Sequence, residues 1–383
     1  MKIAIVAGTF FPRVGGAQVQ IHNVCNKLVD NNIQTDCYIL NKTNIKNNNY
    51  KINIFNKFIL TLVYFFKFKF RLNINFLLKV YLKKIIAKNR YDFWHFIYLN
   101  HKCLILLECL AELDQKILVT FQGEDIQIDK DINYGFRLDK KYEVYLKKTI
   151  QKVDHFFYLS HTIKKDLIDL QIPLRKMSYN PNSVEIKKFR EHHHLKTDSK
   201  KINLITVARY SPKKKGYDIL IAIAKDLLKK DIDFEWKIIG KDTDKLLDFE
   251  IIKENKNNFK IYENIENINE TYFPNSDLIK LYMDSDIYIN LSRIESFGIT
   301  FIESLASLAP IISFDTKGAN EIVQDKINGF LVKDNQDLVN KIEKIYMNKD
   351  ILDKMKIDLV NSIKSYDLDL VIEKYKNLFF KIK

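Results

Sequence analysis

Residues 281–306 read LYMDSDIYINLSRIESFGITFIESLA, and this stretch decides the fold class. Residues 287–290 have the short, mainly apolar pattern of a buried parallel strand. Gly298 marks the place where a loop turns into a helix, because glycine adopts backbone conformations that other residues avoid. We expect the intervening loop to lie at the carboxyl edge of a parallel sheet, where ligands of such sheets bind.

The same strand–helix alternation extends outward from this stretch to both ends of the chain. Strands are predicted at residues 3–7, 37–40, 91–97, 117–121, 155–159, 202–207, 236–239 and 311–314. The polar segment 190–201 interrupts the pattern, which then restarts. The sequence therefore predicts an α/β protein with two Rossmann-like, doubly wound parallel-sheet domains. We place them at 1–193 and 194–365, facing across a cleft.

Composition limits the possible functions of the protein but does not select one of them. The chain has 383 residues, 46% of them hydrophobic, and a net charge of +14, which attracts nucleic acid, anionic lipid or phosphorylated small molecules. Its four cysteines form no C-x-x-C pair and are typical of a reduced, cytoplasmic protein. We interpret the N-terminus as a strand instead of a signal peptide, and no apolar run is long enough to span a membrane.

The sharpest chemical signal is the pair Glu295 and Glu303, which stand eight residues apart around Gly298. Free N–H groups near Ile299 and Thr300, at the start of the predicted helix, favour a phosphate group. Carboxylates beside that phosphate can accept hydrogen bonds from sugar hydroxyls. The alternative is a capped helix that carries two surface glutamates.

This segment resembles the donor-site motif of the retaining glycosyltransferases of family four, which have the GT-B fold. Ala309-Pro310, Gly318 and residues 328–332 resemble the family's following turns and strands, so the likeness covers most of the C-terminal half. It implies that Glu295 contacts the donor sugar, Glu303 holds the ribose, and the backbone of Phe297, Gly298, Ile299 and Thr300 binds the diphosphate. It also implies that residues 366–383 form a helix that crosses back to the first domain.

A second motif, residues 207–218, resembles the family's strand-end arginine followed by K-G-x-D. Arg209 and Lys215 match its cationic pair. Departure of a nucleoside diphosphate develops negative charge, which fixed cations stabilise without a metal. The alternative is a solvated basic loop, which we retain for Lys213 and Lys214.

Two weaker motifs lie in the N-terminal half. Gly15 and Gly16 resemble a glycine loop that touches the diphosphate and the acceptor, and they are expected to allow close approach and positive φ. Gln122 stands where the family usually has histidine, and an amide cannot titrate. Asp125, three residues later, is expected either to contact the acceptor or to cap a helix.

No metal or other cofactor is predicted. Asp284–Asp286 and Asp242–Asp244 resemble D-x-D metal motifs, but the first enters a buried strand and is interpreted as a helix cap. The triplet His192–His194 is interpreted as solvated.

Residues 51–90, named here the basic–aromatic segment, contain ten lysines and arginines, nine phenylalanines and tyrosines, and no acidic residue. This pattern suits the anionic surface of a membrane. We expect Lys67, Lys69, Arg71 and Phe65 to contact lipid. Nucleic acid and a pair of ordinary core helices are the alternatives, and nucleic acid is the least favoured.

Together, these motifs and the family that they resemble imply a retaining, metal-independent, hexosyl-type glycosyltransferase. Its donor is a nucleotide sugar, for instance a UDP-sugar, and its acceptor is a saccharide or a lipid-linked molecule of surface polysaccharide or glycolipid synthesis. The expected location is cytoplasmic, with peripheral attachment to the inner face of the membrane. A sugar-nucleotide epimerase and a non-catalytic sugar-nucleotide-binding protein remain as alternatives.

Overall fold

The computed structural model describes residues 1–12, 15–192, 200–263, 265 and 270–382. The chain divides into two compact units. The first comprises Met1–Asn182, Ile268–Tyr272 and Leu368–Lys383, and the second Ser183–Asn267 and Phe273–Asp367. The domain boundary predicted after residue 193 lies outside the described residues, as do His193 and His194.

The first unit alternates strands and helices along the chain. Its elements are β1 (Lys2–Ala7), α1 (Gly16–Asp30), β2 (Gln34–Ile39), β3 (Lys51–Ile54), α2 (Lys57–Phe65), a π-helical turn (Phe66–Phe70), α3 (Asn75–Asn89), β4 (Phe93–Ile97), α4 (His101–Ala111), β5 (Ile117–Thr120), α5 (Lys140–Ile150), β6 (His155–Tyr158), α6 (His161–Asp169), β7 (Met177–Tyr179) and, from the chain end, α15 (Leu368–Ile382).

All seven strands of this unit are parallel, in the order β3-β2-β1-β4-β5-β6-β7. The central strands are almost wholly buried, which explains why they are mostly apolar. Helix α15 packs on this sheet through Phe379, whose ring stacks on that of Phe93 at 5.6 Å between centroids. The strand order reverses between β1 and β4, so the loops that follow these two strands diverge there.

The second unit repeats the arrangement with different residues. Its elements are α7 (Ile186–Glu191), β8 (Ile202–Val207), α8 (Pro212–Lys215), α9 (Tyr217–Lys229), β9 (Phe234–Ile239), α10 (Glu250–Glu254), β10 (Phe259–Tyr262), α11 (Ser276–Met283), β11 (Ile287–Asn290), α12 (Ile299–Ala306), β12 (Ile311–Phe314), β13 (Gly329–Val332), α13 (Asn335–Met347) and α14 (Asp350–Ile363). Its six strands are parallel, in the order β10-β9-β8-β11-β12-β13.

The predicted fold is confirmed: each unit is a doubly wound parallel sheet of the Rossmann type, as in the GT-B fold. Three edge or near-edge strands were not predicted, namely β3, β7 and β10. They are short and only partly buried, so they lack the apolar run that marks a central strand. The basic–aromatic segment begins with a strand, since β3 occupies residues 51–54, and its helices follow. Among the described residues, no helix is both long and apolar enough to cross a bilayer.

Candidate active site

The second unit brings its motif residues to one edge of the sheet. Strands β8 and β11 are neighbours at the centre, and the strand order reverses between them. Arg209 follows β8, and Glu295 follows β11. Because the strands are parallel, both residues lie at the carboxyl edge, where ligands of doubly wound sheets bind.

Lys215 and Glu295 form an ion pair across these two loops. Their side chains are 18% and 11% exposed, so the pair is largely shielded from water. Burial by itself would raise the pKa of Glu295, but the charges of Lys215 and Lys214 and a hydrogen bond from Ser292 hold that pKa below its usual value. Glu295 is therefore a carboxylate at neutral pH. Residues that are 80 positions apart thus form one charged cluster.

Two glycines permit the close approach of these loops. Gly216 has φ of +70°, and a Cβ atom there would lie 2.1 Å from the carbonyl oxygen of Leu291. A Cβ atom on Gly318 would lie 2.1 Å from the carbonyl oxygen of Glu295. No side chain fits at either distance, so glycine is required by sterics. Gly216 holds the end of α8, and with it Lys215, against the loop that carries Glu295.

A second contact between the loops was missed by sequence reasoning. The guanidinium of Arg293 donates two hydrogen bonds of 2.8 Å to the carboxylate of Asp218 and one of 2.7 Å to the carbonyl of Lys213. Paired, parallel bonds of this kind fix orientation as well as distance. Both residues lie inside the motifs that identified the site, but nothing in their spacing indicated that they pair.

Glu303 lies in the second turn of α12 and is 4% exposed. The hydroxyl of Tyr282 donates a 3.0 Å hydrogen bond to its Oε2 atom. Burial raises the pKa of Glu303 to about 8, although the bond from Tyr282 acts in the opposite direction. A buried carboxyl group with one hydrogen-bond donor has capacity to bind hydroxyl groups of a ligand.

The N-terminus of α12 has the predicted glycine conformation. Gly298 precedes the helix with φ of +79°, and a Cβ atom there would lie 2.6 Å from the ring of Phe301. The side chain of Phe297 is buried against Tyr366, with ring centroids 5.6 Å apart, so this residue offers the site only its backbone. Ile299 and Thr300 begin the helix, where N–H groups lack carbonyl partners of a preceding turn.

Arg209 differs from Lys215 in its surroundings. It is exposed, and its guanidinium has no carboxylate partner in the part of the chain that the structure describes. A Cβ atom on Gly240 would lie 2.9 Å from the backbone nitrogen of Arg209, so the loop after β9 supports the backbone here. The side chain is available to an anionic ligand.

In the first unit, the structure assigns Asp125 a different role from the acceptor contact considered above. Its carboxylate has no exposed surface and accepts hydrogen bonds from the N–H groups of Leu99, Gln122 and Gly123 at 2.8 to 2.9 Å. Burial raises its pKa to about 6, against the effect of these bonds. Asp125 joins the loops after β4 and β5, and its buried carboxylate holds them in position.

Gln122 and the two glycines remain near the carboxyl edge of this sheet. Gln122 is half-buried and exchanges two weak hydrogen bonds, of 3.3 and 3.5 Å, with the amide of Asn182. The expectation of positive φ at Gly15-Gly16 was wrong: Gly15 is extended, with φ of 172°, and Gly16 is the first residue of α1. Any residue adopts these conformations, so the pair is not required by backbone geometry.

Within the described part of the chain, the aspartates of the two D-x-D segments are not grouped with other side chains that could bind a metal ion. Asp286 accepts hydrogen bonds from the backbone and side-chain nitrogens of Asn203, at 2.8 and 3.3 Å, and so joins β11 to β8. Asp242 pairs with Lys245 at 3.5 Å. Across the described ranges, no group of three or more His, Cys, Asp or Glu side chains has the arrangement of a metal site.

Two family models match this chain. Glycosyltransferase Family 4 matches residues 14–188, and Glycosyl transferases group 1 matches residues 187–358. The matches meet without a gap and include all the motif residues of the second unit. The chain belongs to the family-four, group 1 glycosyltransferases, and it is therefore a glycosyltransferase with the GT-B fold.

Individual relatives agree with this placement. An uncharacterized glycosyltransferase of Methanocaldococcus jannaschii is 26% identical over 356 residues, which are 92% of this chain and 90% of that protein. The poly(ribitol-phosphate) alpha-N-acetylglucosaminyltransferase of Staphylococcus aureus is 27% identical over 63% of this chain, but the match spans only 46% of that longer protein. The crystal structure of Anabaena HepE in complex with UDP superposes with a TM-score of 0.75 at 14% identity, covering 100% of both chains, which shows the shared fold.

Proposed function

We propose that this glycosyltransferase takes its sugar from a nucleotide-sugar donor bound at the edge between β8 and β11. The contact between Lys215 and Glu295 carries the proposal. The bond that breaks joins the anomeric carbon of the sugar to a diphosphate oxygen. A cation for the diphosphate and a carboxylate for the sugar must therefore meet at that bond, as these two side chains do.

The remaining side chains supply the other donor contacts. Arg209, exposed and without a carboxylate partner among the described residues, faces the leaving diphosphate together with Lys215. The N–H groups of Phe297 to Thr300 bind diphosphate oxygens, and Glu303 accepts hydrogen bonds from the ribose. The UDP that is bound in the HepE crystal makes UDP-sugars the first donors to test.

The reaction that we propose retains the anomeric configuration. The acceptor hydroxyl attacks the anomeric carbon from the face that the diphosphate leaves. The C–O bond to the diphosphate breaks, and the departing phosphate oxygen takes the acceptor proton. No protein base is needed in this scheme, which is compatible with an amide at Gln122 and with a fully engaged Asp125. The acceptor is a saccharide or a lipid-linked molecule, in polysaccharide or glycolipid synthesis.

Positive charge for the leaving group comes from the protein in this proposal, so no metal is required. Transfer should proceed unchanged in EDTA. Loss of activity on chelation, with recovery on adding Mg²⁺ or Mn²⁺, would refute this part of the proposal.

The donor proposal is tested by incubating the protein with a panel of UDP-, GDP- and ADP-sugars and measuring release of the nucleoside diphosphate. Arg209→Ala should lower kcat by a larger factor than it changes KM, because it meets charge that develops as the bond breaks. Lys213→Ala, an exposed neighbour, is the matched control and should leave both constants within about twofold. NMR of the product's anomeric proton distinguishes retention from inversion. Equal kinetics for the wild type and Arg209→Ala would contradict the diphosphate assignment.

We also propose that the basic–aromatic segment attaches the protein to the inner face of an anionic membrane. Besides Ile54 in β3, its exposed large apolar side chains are Phe58, Phe65, Phe70, Leu72, Phe76, Leu77 and Val80. They follow one another along α2, the π-helical turn and the start of α3, and the rings of Phe65 and Phe70 touch, with centroids 5.2 Å apart. Exposed apolar area of this extent typically marks an interaction surface.

The cations of the segment divide into two sets. Lys67 pairs with the buried carboxylate of Glu108, which also accepts hydrogen bonds from Asn75 and Tyr145, so Lys67 joins the turn to α4 and α5. Lys79 pairs with Glu112. The expectation that Lys67 contacts lipid was therefore wrong, since its charge is already neutralised within the fold. The exposed cations of the segment with no carboxylate partner among the described residues are Lys51, Lys57, Lys69, Arg71, Lys83, Lys84, Lys88 and Arg90.

This combination favours a bilayer over a second copy of the chain. Two copies in contact here would place the same unpaired cations against one another, whereas anionic headgroups complement them and acyl chains accept the phenylalanines. Replacing Lys57, Lys69 and Arg71 with Gln should weaken binding to vesicles that contain anionic lipid by on the order of 1 kcal/mol per charge at low salt. The matched control replaces Lys253, Lys256 and Lys260, three exposed lysines of the second unit, and should bind like the wild type.

Phe58→Ala with Phe76→Ala should remove the part of vesicle binding that survives high salt, because salt screens charges and not apolar contacts. Sedimentation with vesicles of defined anionic fraction measures both effects. The membrane proposal fails if the wild type ignores anionic vesicles at low salt, or if both triple variants bind equally. A concentration-dependent dimer that the phenylalanine variant abolishes would assign the surface to a second copy instead.

A further inference from the structure

A chain of buried polar side chains lies beneath the start of α12. Tyr288 and Asn290 belong to β11 and are 1% and 4% exposed. They are two residues apart on a strand, so they point to the same face of the sheet. The hydroxyl of Tyr288 lies 2.7 Å from the Oγ1 atom of Thr300, at the second position of α12.

The donor and the acceptor of each hydrogen bond in this series of side chains can be assigned. The backbone N–H of Ser292 donates to the Oδ1 atom of Asn290 at 2.9 Å, which identifies that atom as the amide oxygen. The Nδ2 group of Asn290 therefore donates to the hydroxyl oxygen of Tyr288, at 3.3 Å. With its oxygen occupied as an acceptor, Tyr288 directs its own proton to Thr300.

Tyr288 remains a protonated donor at physiological pH. Burial raises the pKa of its hydroxyl above the usual value, and the charges of Glu295 and Glu303 raise it further, while the hydrogen bonds to Thr300 and Asn290 act in the opposite direction.

The hydroxyl of Thr300 accepts one hydrogen bond and can donate another. Inside a helix, a threonine hydroxyl commonly donates to the carbonyl four residues earlier, but no helical turn precedes the second position of α12. Its only hydrogen bond found among the described residues is the one it accepts from Tyr288. The hydroxyl proton is therefore available beside the free N–H groups of Ile299 and Thr300.

We propose that Tyr288 is a positioning residue that turns the hydroxyl of Thr300 into a fixed donor to a diphosphate oxygen. Asn290 then donates to Tyr288, Tyr288 donates to Thr300, and Thr300 donates to the phosphate. Each of these hydrogen bonds strengthens the next because all of them run in the same direction. The inference rests on the proposed donor site and assigns it a side-chain phosphate contact in addition to the backbone. It also explains a tyrosine and an asparagine within an otherwise apolar central strand.

The test is calorimetric titration with whichever of UDP, GDP and ADP the wild type binds most tightly, and with the matching nucleoside, which has no phosphate. Thr300→Val keeps the side-chain shape but removes the hydroxyl. It should weaken diphosphate binding about tenfold or more, the usual effect of a hydrogen bond to a charged group. Tyr288→Phe should weaken it about threefold, and neither variant should change nucleoside binding.

Coupling separates positioning from a general structural effect. In a Thr300→Val background, Tyr288→Phe should cause no further loss of diphosphate affinity, since its action passes through Thr300. Thr300→Ser, which keeps a hydroxyl, should restore the sensitivity to Tyr288→Phe. Tyr346→Phe, a half-buried tyrosine of α13, is the matched control and should bind both ligands like the wild type.

The possible results point to different conclusions. Equal diphosphate affinity for wild type, Thr300→Val and Tyr288→Phe would overturn the positioning role while leaving the donor site intact. Parallel losses for diphosphate and nucleoside would overturn it as well, because they indicate a distorted domain. A wild type that binds none of the three diphosphates would refute the donor site itself, and with it this inference.

Discussion

Replacing Lys215 with methionine should leave Glu295 as a largely buried carboxylate without its main partner. In the wild type, Lys215 and Lys214 hold the pKa of Glu295 below its usual value although burial acts to raise it. Without Lys215 the effect of burial is opposed only by Lys214 and Ser292, and the pKa of Glu295 should rise. The folded protein then carries a charge that the unfolded chain hydrates more favourably.

Removing one partner of a fully buried ion pair destabilises a protein by roughly 3–5 kcal/mol. This pair is not fully buried, since its side chains are 18% and 11% exposed, and Lys214 remains nearby. We therefore expect a loss of about 2 kcal/mol in the free energy of unfolding at pH 8. At pH 5 the loss should be smaller, because a carboxyl with a raised folded-state pKa takes up a proton in the folded variant and ceases to be charged.

The two tryptophans of the chain allow the second unit to be followed by itself. Trp94 lies in the core of the first unit, and Trp236 lies in that of the second. In a Trp94→Phe background, fluorescence during urea unfolding reports only on Trp236. Lys213→Met is the matched control, since it removes a neighbouring charge without breaking the pair with Glu295. A destabilisation by Lys215→Met that is the same at pH 5 and pH 8 would refute the reasoning.

Three further predictions concern the same two units. Gly298→Ala should lower the free energy of unfolding of the second unit by about 1–2 kcal/mol or more, since L residues are strained at φ of +79° and the new methyl group meets Phe301. Gly16→Ala, at the first residue of α1, where the backbone is helical, should change the stability of the first unit by less than about 1 kcal/mol. Glu303 has its pKa raised to about 8 on folding, so its contribution to stability is greatest at low pH and is lost as the pH rises through 8. The difference in unfolding midpoint between Glu303→Gln and the wild type should therefore move in favour of the variant between pH 5 and pH 9, and a constant difference would show that Glu303 is hydrated. Lys67→Met should destabilise the first unit, followed through Trp94 in a Trp236→Phe background, whereas Lys69→Met should not; equal midpoints for the two variants would mean that the pair with Glu108 contributes nothing.

The positions of the central strands were predictable because burial on both faces requires mostly apolar residues, and a short apolar run is visible in the local sequence. Strands β8, β11 and β12 occupy the predicted residues without any shift, since a parallel strand between two helical layers is mostly apolar. The loops that carry Arg209, Lys215 and Glu295 follow these strands directly. Their meeting at one edge therefore follows from the parallel topology, which the strand–helix alternation already indicated.

Only the tertiary structure decided which side chains pair. Arg293 and Asp218 are 75 residues apart, and Lys67 and Glu108 are 41 apart, so no local pattern connects them. In the sequence Lys67, Lys69 and Arg71 look alike, yet the fold neutralises the first and leaves the other two exposed. Asp125 similarly matched a functional motif, and its burial beneath three N–H groups shows that it supports a loop. Local periodicity reports which faces of an element are buried, whereas the partner of a charged or polar group depends on where distant segments meet, and that is settled only when the chain packs.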